Sequence, residues 1–349
     1  MPAPKTDAPV LLTGITGFIA KRIAADLLNA GYPVRGTLRT PGRADEVRAA
    51  LRPHLIDPQA SDDRLSFATA NLDSEDGWAE AAEGTSALLH TASPFPLAQP
   101  KSADDLIRPA VDGTLRALRA AQAAGVTRAV LTSSMVSIMH NDRPKGHAYT
   151  EADWTDPDHP TASFYAQSKT LAEKAAWRFV DDHPDMSLTA INPGLVVGRP
   201  VDRNYGTSLR VIERFLAGKD PAVPNVGLPI VDLADVSAMH VAALERPDAA
   251  GQRYIAADRF VMLPQVARWL ADAYPERKIA TRVAPGWLLR LLALVDGEVK
   301  SVVPQLNDEK VVTGTKAQAD LGIRFTPAKE AVLEAAAFIA ASDADKRAA

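Results

Sequence analysis

Short apolar runs alternate with amphipathic stretches along the first two thirds of the chain. The runs PVLLT (9–13), PVRGTL (33–38), LSFAT (65–69), SALLHT (86–91), RAVLTS (128–133) and SLTAI (187–191) are largely continuous rather than alternating in hydrophobicity. Continuous runs of this length fit strands buried on both faces, the condition of a parallel sheet covered by helices. Helical patterns fill the intervals near 17–30, 43–52, 75–83, 103–124 and 162–182. Several boundaries carry their own chemistry. Gly31 ends the first helix and Pro33 prevents its continuation, while Gly125 closes the 103–124 segment. The segment PTAS precedes the 162–182 pattern and offers a helix cap.

After INPGLVVGRP (191–200) the rhythm changes. Residues 200–227 are rich in Gly, Pro and charge around one amphipathic helix near 207–217. Residues 228–244 then return to a buried strand-plus-helix pattern, and from about 263 the chain reads as mostly helical, with loops at 297–308 and 322–327. No internal repeat interrupts this order. The expected fold is α/β: a doubly wound parallel sheet of the Rossmann type with six or seven strands and a smaller, mainly helical C-terminal lobe. The expected division is a dinucleotide-binding core over 1–199, rejoined by 228–262, with 200–227 and 263–349 forming a substrate-binding lobe and the cleft between them the default site.

Composition narrows the function classes. A formal charge of −4 over 349 residues gives no basic footprint for nucleic acid and no polybasic patch for a membrane. The absence of cysteine removes disulfides, thiol chemistry and zinc–thiolate sites, and fits a cytoplasmic protein. The N-terminal MPAPKTDAPV lacks the apolar core of a signal peptide. The run GWLLRLLALV (286–295) is about half of the roughly 20 residues a membrane span needs, and Arg290 interrupts it; a packed or interface helix is expected there. His140 and His147 read as surface histidines, and the acidic stretch 151–160 as a loop before a helix, so no metal site is expected.

The first strand–helix junction, TGITGFIA, is the natural phosphate site of such a sheet. Backbone N–H groups at a helix N-terminus point at an anion, and the helix dipole favours negative charge there. Gly14 and Gly17 allow the tight turn and close approach; the third fingerprint position, whose task is helix–strand packing, holds Ala20. At the end of the second strand an NAD-preferring site places an acid for the ribose 2′-hydroxyl. Here stand Arg39 and Arg43, whose fork-shaped guanidiniums suit a 2′-phosphate.

A third constellation follows. Ser133 and Ser134 end the fifth strand, and Tyr165 and Lys169 are i, i+4 on the next long helix. A phenol with an ordinary pKa of about 10 is a poor acid or base near neutrality. A neighbouring ammonium is expected to lower it, and a serine hydroxyl to hold the substrate oxygen. With six tyrosines in the chain, a lone Tyr-x-x-x-Lys says little; its weight comes from its order after the glycine turn and the strand-end serines.

Together TGITGFIA, GTLRT, LLHTASPF, VLTSS, FYAQSKTLAEKAAW and INPGLVVGRP resemble the extended short-chain dehydrogenase/reductases, in the branch of dihydroflavonol reductases, cinnamoyl-CoA reductases and yeast-type methylglyoxal/aldehyde reductases. The similarity extends to GIRFTPAKEAVLEAA near the C-terminus, and the yeast-type enzymes share alanine at the third fingerprint position. The resemblance implies that Ser134 orients a carbonyl, Tyr165 donates a proton to its oxygen, and Lys169 depresses the Tyr165 pKa and bonds the nicotinamide ribose. It further implies that Gly14, Phe18 and Ile19 line the pyrophosphate turn and that Arg39 and Arg43 take the 2′-phosphate. Asn71 and Leu72 would border the adenine, although the family more often has Asp at the first. Thr91, Ala92 and Ser93 would pass under the cofactor, Pro193 would flank the nicotinamide, and Phe95 and Met139 would wall the substrate pocket. In related enzymes the helix carrying Trp177 and Phe179 joins a four-helix dimer interface, so a monomer or homodimer is implied.

The expected activity is thus NADP(H)-dependent reduction of an aldehyde or ketone, reversible as alcohol oxidation, on a small carbonyl or alcohol substrate. An NAD-dependent nucleotide-sugar epimerase or dehydratase uses the same triad, but Arg39 replaces the acid such a site prefers. A non-catalytic NADP(H) sensor is disfavoured by the joint presence of Tyr165 and Lys169.

Overall fold

Each of the six apolar runs forms a strand in the computed structural model, which describes residues 7–94 and 102–348. In chain order the strands are β1 (Val10–Thr13), β2 (Val34–Leu38), β3 (Leu65–Thr69), β4 (Ala87–His90), β5 (Arg128–Thr132), β6 (Ala148–Tyr149), β7 (Ser187–Pro193), β8 (Leu195–Val197), β9 (Gly227–Asp232), β10 (Arg253–Ala256), β11 (Arg259–Met262) and β12 (Val311–Val312). Seven of them make one parallel sheet in the order β10-β7-β5-β4-β1-β2-β3. The chain moves outward in one direction from β1 to β3, then crosses back to β4 and outward the other way. That reversal opens a crevice between the carboxyl ends of β1 and β4, where α/β sheets of the Rossmann type bind ligands.

Both faces of the sheet are covered. On one side, helices Phe18–Asn29 and Leu233–Glu245 bury Ile23, Leu27, Val236 and Met239 against Val10, Leu12 and Leu89. On the other, helices Asp104–Ala123 and Phe164–Asp181 pack Ala117, Leu118, Ala176 and Phe179 against Leu11, Leu88 and Leu188. Trp177 and Phe179 therefore pack in this layer. Ala20 is 2% exposed within the first core, so its methyl fills helix–sheet space. Glycine there would cost about 1 kcal/mol of helix stability.

A third apolar cluster lies at the carboxyl edge. Helices Arg210–Ala217, Leu263–Ala273 and Ala328–Ala348 contribute Ile212, Leu216, Val266, Leu270, Val332 and Ile339, and they pack on Ile230 of β9 and Val261 of β11. A small sheet in the order β11-β9-β8 carries these helices. Two carboxylates fasten the last helix: Asp235 accepts the backbone N–H of Thr326 at 2.7 Å and Asp258 that of Ala328 at 2.9 Å.

Three sequence expectations need correction. The seventh strand of the main sheet is β10, at Arg253–Ala256, which had no strand assigned to it. The loop expected over 297–308 contains a helix, Gly297–Val302, because the Asp296 carboxylate accepts the Val299 N–H and caps its start. Of the two alternatives expected for the run 286–295, a packed or an interface helix, the packed one does not hold: helix Gly286–Leu292 buries none of its residues, and Trp287 and Val295 are 64% and 87% exposed. Among the described residues no helix is long and apolar enough to cross a membrane.

Candidate active site

The glycine turn is built as its residues require. Gly14 has φ +68°, a conformation that favours glycine, and its N–H is held by the Thr37 hydroxyl at 2.9 Å. The Gly17 N–H bonds the Gly14 carbonyl at 2.8 Å and the helix starts at Phe18. Opposite, a Cβ on Gly14 would come within 3.0 Å of Ala92, so the segment after β4 passes close beneath the turn. Thr13 fixes that segment. Its hydroxyl accepts the N–H groups of Thr91 and Ala92, each at 3.0 Å, which leaves its proton for His90 Nδ1, also at 3.0 Å. Burial pushes the His90 pKa down to about 3, so the ring stays neutral and able to accept.

A cleft of about 400 Å³ opens at this point. It is lined by Gly14, Gly17, Phe18, Ile19, Thr91 and Ser93 at one end and by Ser133, Ser134, Met139, Tyr165, Lys169 and Pro193 further along. Tyr165 sits in the first turn of helix Phe164–Asp181, whose N-terminus is capped by the Ser163 hydroxyl accepting from Ala166 N–H. Lys169, one turn on, is 8% exposed and donates from Nζ to the Thr132 carbonyl at 3.1 Å. Thr132 is in turn held by His240: the ring bonds the Val236 carbonyl through Nδ1, so Nε2 accepts the Thr132 hydroxyl at 2.7 Å. Ser134 makes a 3.4 Å bond to the Pro193 carbonyl and is hydrogen-bonded to the Tyr165 phenol.

The electrostatics reverse one expectation. The Tyr165 pKa is raised, to about 12, because burial disfavours the phenolate; the Ser134 hydrogen bond offsets only part of that. The Lys169 ammonium is lowered to about 8 by the same burial, with the Glu173 carboxylate holding it up. Desolvation therefore dominates both members of the pair. The phenol is protonated throughout the neutral range while the lysine titrates just above it.

The two serines at the end of β5 differ in their partners. Ser133 donates to the fully buried Glu173 carboxylate, whereas Ser134 faces the phenol. Their sequence positions did not reveal this difference; it depends on a residue 40 positions away.

At the other end of the crevice Arg39 is exposed, and Arg43 forms a two-pronged ion pair with Glu46 at 2.7 and 2.9 Å. Neither lines the 400 Å³ cleft. Asn71 and Leu72 also lie outside it: Leu72 packs on Gly113 of the Asp104–Ala123 helix, and the Asn71 carbonyl accepts from the Trp78 indole. Phe95 lies outside the described residues. Sequence reasoning missed Thr13, Thr37, His90, His240 and Glu173, and also Leu195, Tyr205, Thr207, Ser208, Leu228 and Pro229 of the cleft wall. The strand-terminal positions of Thr13 and His90 were the only local signal for any of them. His140, expected on the surface, is 5% exposed and bonded to the Thr161 hydroxyl, while His147 pairs with Asp153 at 3.0 Å. Among the described residues no cluster of His, Asp or Glu could hold a metal ion.

Comparison with known proteins matches residues 10–257 to the model of the NAD dependent epimerase/dehydratase family. The chain belongs to that family. Among curated members it is 31% identical over 332 residues to cinnamoyl-CoA reductase CAD2 of Medicago truncatula, covering 93% of each chain. It is 30% identical over 279 residues to dihydroflavonol 4-reductase of Zea mays, covering 78% of this chain and 76% of that one. Among solved structures, yeast methylglyoxal/isovaleraldehyde reductase Gre2 complexed with NADPH superposes with a TM-score of 0.80 at 25% identity, over 96% of this chain and 99% of the other. These curated relatives are reductases, and the NADPH-bound Gre2 structure shares the fold of this chain.

Proposed function

We propose that the protein is an NADPH-dependent reductase of aldehydes or ketones, reversible as an alcohol dehydrogenase. The observation that carries this reading is the Ser134–Tyr165–Lys169 cluster at one end of a cleft whose other end is the glycine turn. The residues suit a nicotinamide dinucleotide. The turn presents a helix N-terminus for the pyrophosphate, the 91–93 segment runs beneath it, and Arg39 and Arg43 stand at the end of β2 where a 2′-phosphate would lie. The NADPH in the yeast reductase is consistent with this assignment. When bound, the reduced nicotinamide supplies a hydride.

The protein's own residues do the rest. The Ser134 and Tyr165 hydroxyls converge on one point and would hold the carbonyl oxygen between them, fixing the carbon for attack. As negative charge grows on that oxygen it becomes far more basic than a phenolate. Tyr165 can therefore deliver its proton although its own pKa is about 12. The Lys169 ammonium lies one turn away and stabilises the phenolate that remains. Toward the substrate end the described wall carries Met135, Val136, Met139, Leu195, Leu228 and Pro229, with Thr207 and Ser208 as polar groups. Among the described residues Lys169 is the one charged side chain that lines the cleft, which favours an uncharged carbonyl compound over a sugar nucleotide.

The test is NADPH consumption over small aldehydes, diketones, aryl ketones and flavonoid-like ketones, with NADP⁺-dependent alcohol oxidation and NADH in parallel. Turnover with NADPH preferred over NADH is expected. Preference for NADH, or purification with tightly bound NAD, would point instead to the epimerase or dehydratase chemistry.

A further inference from the structure

The helix that carries Tyr165 and Lys169 also carries Glu173, one turn beyond the lysine, with 0% of its side chain exposed. A buried carboxylate persists only where it is paired and hydrogen-bonded. Glu173 satisfies this through four elements. Arg253 on β10 donates from Nε to Oε1 at 2.6 Å, Asn192 on β7 donates to Oε2 at 2.8 Å, Ser133 at the end of β5 donates to Oε2, and the Trp177 indole reaches Oε1 at 3.3 Å. Arg253 is itself fixed by the carbonyls of Glu151 and Asp153, at 2.6 and 2.7 Å, and its guanidinium carbon sits 3.7 Å from the centre of the Trp154 ring. Asn192 also donates to the Ser134 carbonyl at 3.2 Å.

The carboxylate therefore touches the serine turn twice, through the Ser133 hydroxyl and through Asn192 to the Ser134 backbone. Among the described residues, the titratable and charged groups around Lys169 are Tyr165 and Glu173 on its own helix, His90 at the end of β4, His240 across Thr132, and Arg253 on β10 behind Glu173. Glu173 is the only anion in this set.

We propose that Glu173 is a positioning residue for proton transfer: its carboxylate keeps the Lys169 ammonium charged in a dry site and locks the Ser133–Ser134 turn that aims Ser134 at the phenol. Glu173 touches neither substrate nor cofactor. Its effect passes through Lys169 and the turn. The inference rests on the reading of Tyr165 and Lys169 given above.

The test is the pH dependence of kcat/KM for carbonyl reduction by the full-length protein. Loss of the Lys169 charge makes the rate fall as pH rises. In Glu173→Gln the ammonium loses its anion and remains near Arg253, so the fall moves to lower pH by about one unit, an extra loss that is slight at about pH 6.5 and grows to roughly tenfold above about pH 8.5. Glu173→Asp restores the position of the fall even where it lowers the rate. Arg253→Gln removes the competing cation and moves the fall upward, and it decides the matter alone if Glu173→Gln does not fold. Rates that drop by one factor at every pH, in both variants, would make Glu173 a structural residue only and overturn the inference. A Tyr165→Phe variant that retains full activity would instead overturn the proposed function, so the two failures are distinguishable.

Discussion

The two ends of the crevice are built to different standards. Around Tyr165 and Lys169 the polar groups are held from behind in a chain: the lysine by Thr132, Thr132 by His240, the serine turn by Asn192 and Glu173. At the far end Arg39 is exposed, and Arg43 is engaged by Glu46 in a surface ion pair three residues away. Such a pair is worth a few tenths of a kcal/mol and yields readily to a better anion. Proton transfer demands positions fixed within a fraction of an ångström, and on the proposed reading the buried network would supply them. A phosphate demands charge and a fork that can swing to meet it; on the proposed reading, exposed Arg39 and half-buried Arg43 would supply that at little cost to the fold.

Variants can break this contrast. The largest effect belongs to Tyr165→Phe, which leaves the ring packed and removes the proton donor: kcat should fall by about 10²–10⁴-fold in NADPH-consumption assays. Lys169→Met should lower kcat on the order of 10²-fold while leaving the urea midpoint unchanged or higher, because an ammonium lowered to about 8 by burial destabilises the fold at neutral pH. The sign follows from linkage. Below about 8 the folded state bears the buried charge; between there and 10.5 the unfolded chain binds more protons, so this group's contribution to stability improves as pH rises. Activity moves the other way, falling as pH rises through about 8, whereas Tyr165 stays protonated across that range.

At the exposed end effects are smaller and confined to the cofactor. Arg39→Ala with Arg43→Ala should weaken NADPH binding by about 10- to 100-fold and leave NADH nearly unchanged, measured as KM for each cofactor at one ionic strength. Glu46→Gln should have the smallest effect, tightening NADPH by about twofold by releasing Arg43 from its internal partner. An equal effect of the arginine variants on NADH would remove the distinction between the two ends.

What could be read from the sequence were features that depend on neighbours in the chain. The Gly14–Gly17 turn, the Ser163 cap and the shared face of Tyr165 and Lys169 are local geometry, so spacing reveals them. The continuous apolar runs likewise announced the parallel sheet. Hidden were features made by contacts across the fold. Thr13 meets His90 across 77 positions, Thr132 meets His240 across 108, and Glu173 meets Arg253 across 80. The direction of the Tyr165 shift was hidden for the same reason. A lysine one turn away suggests a lowered pKa, but burial, set by the surrounding layers, raises it, and the opposing influence comes from the Ser134 hydrogen bond. The edge strand β10 is only four residues long, and its pairing with β7 defines it better than its own composition.

The most direct test of the central claim is a titration of NADPH into the Tyr165→Phe variant, followed by intrinsic fluorescence alongside its turnover. The account predicts a Kd within about threefold of the unmodified protein, a difference under 1 kcal/mol, together with the loss of carbonyl reduction. Full turnover in this variant, or loss of NADPH binding along with turnover, would contradict the assignment of Tyr165 as the proton donor.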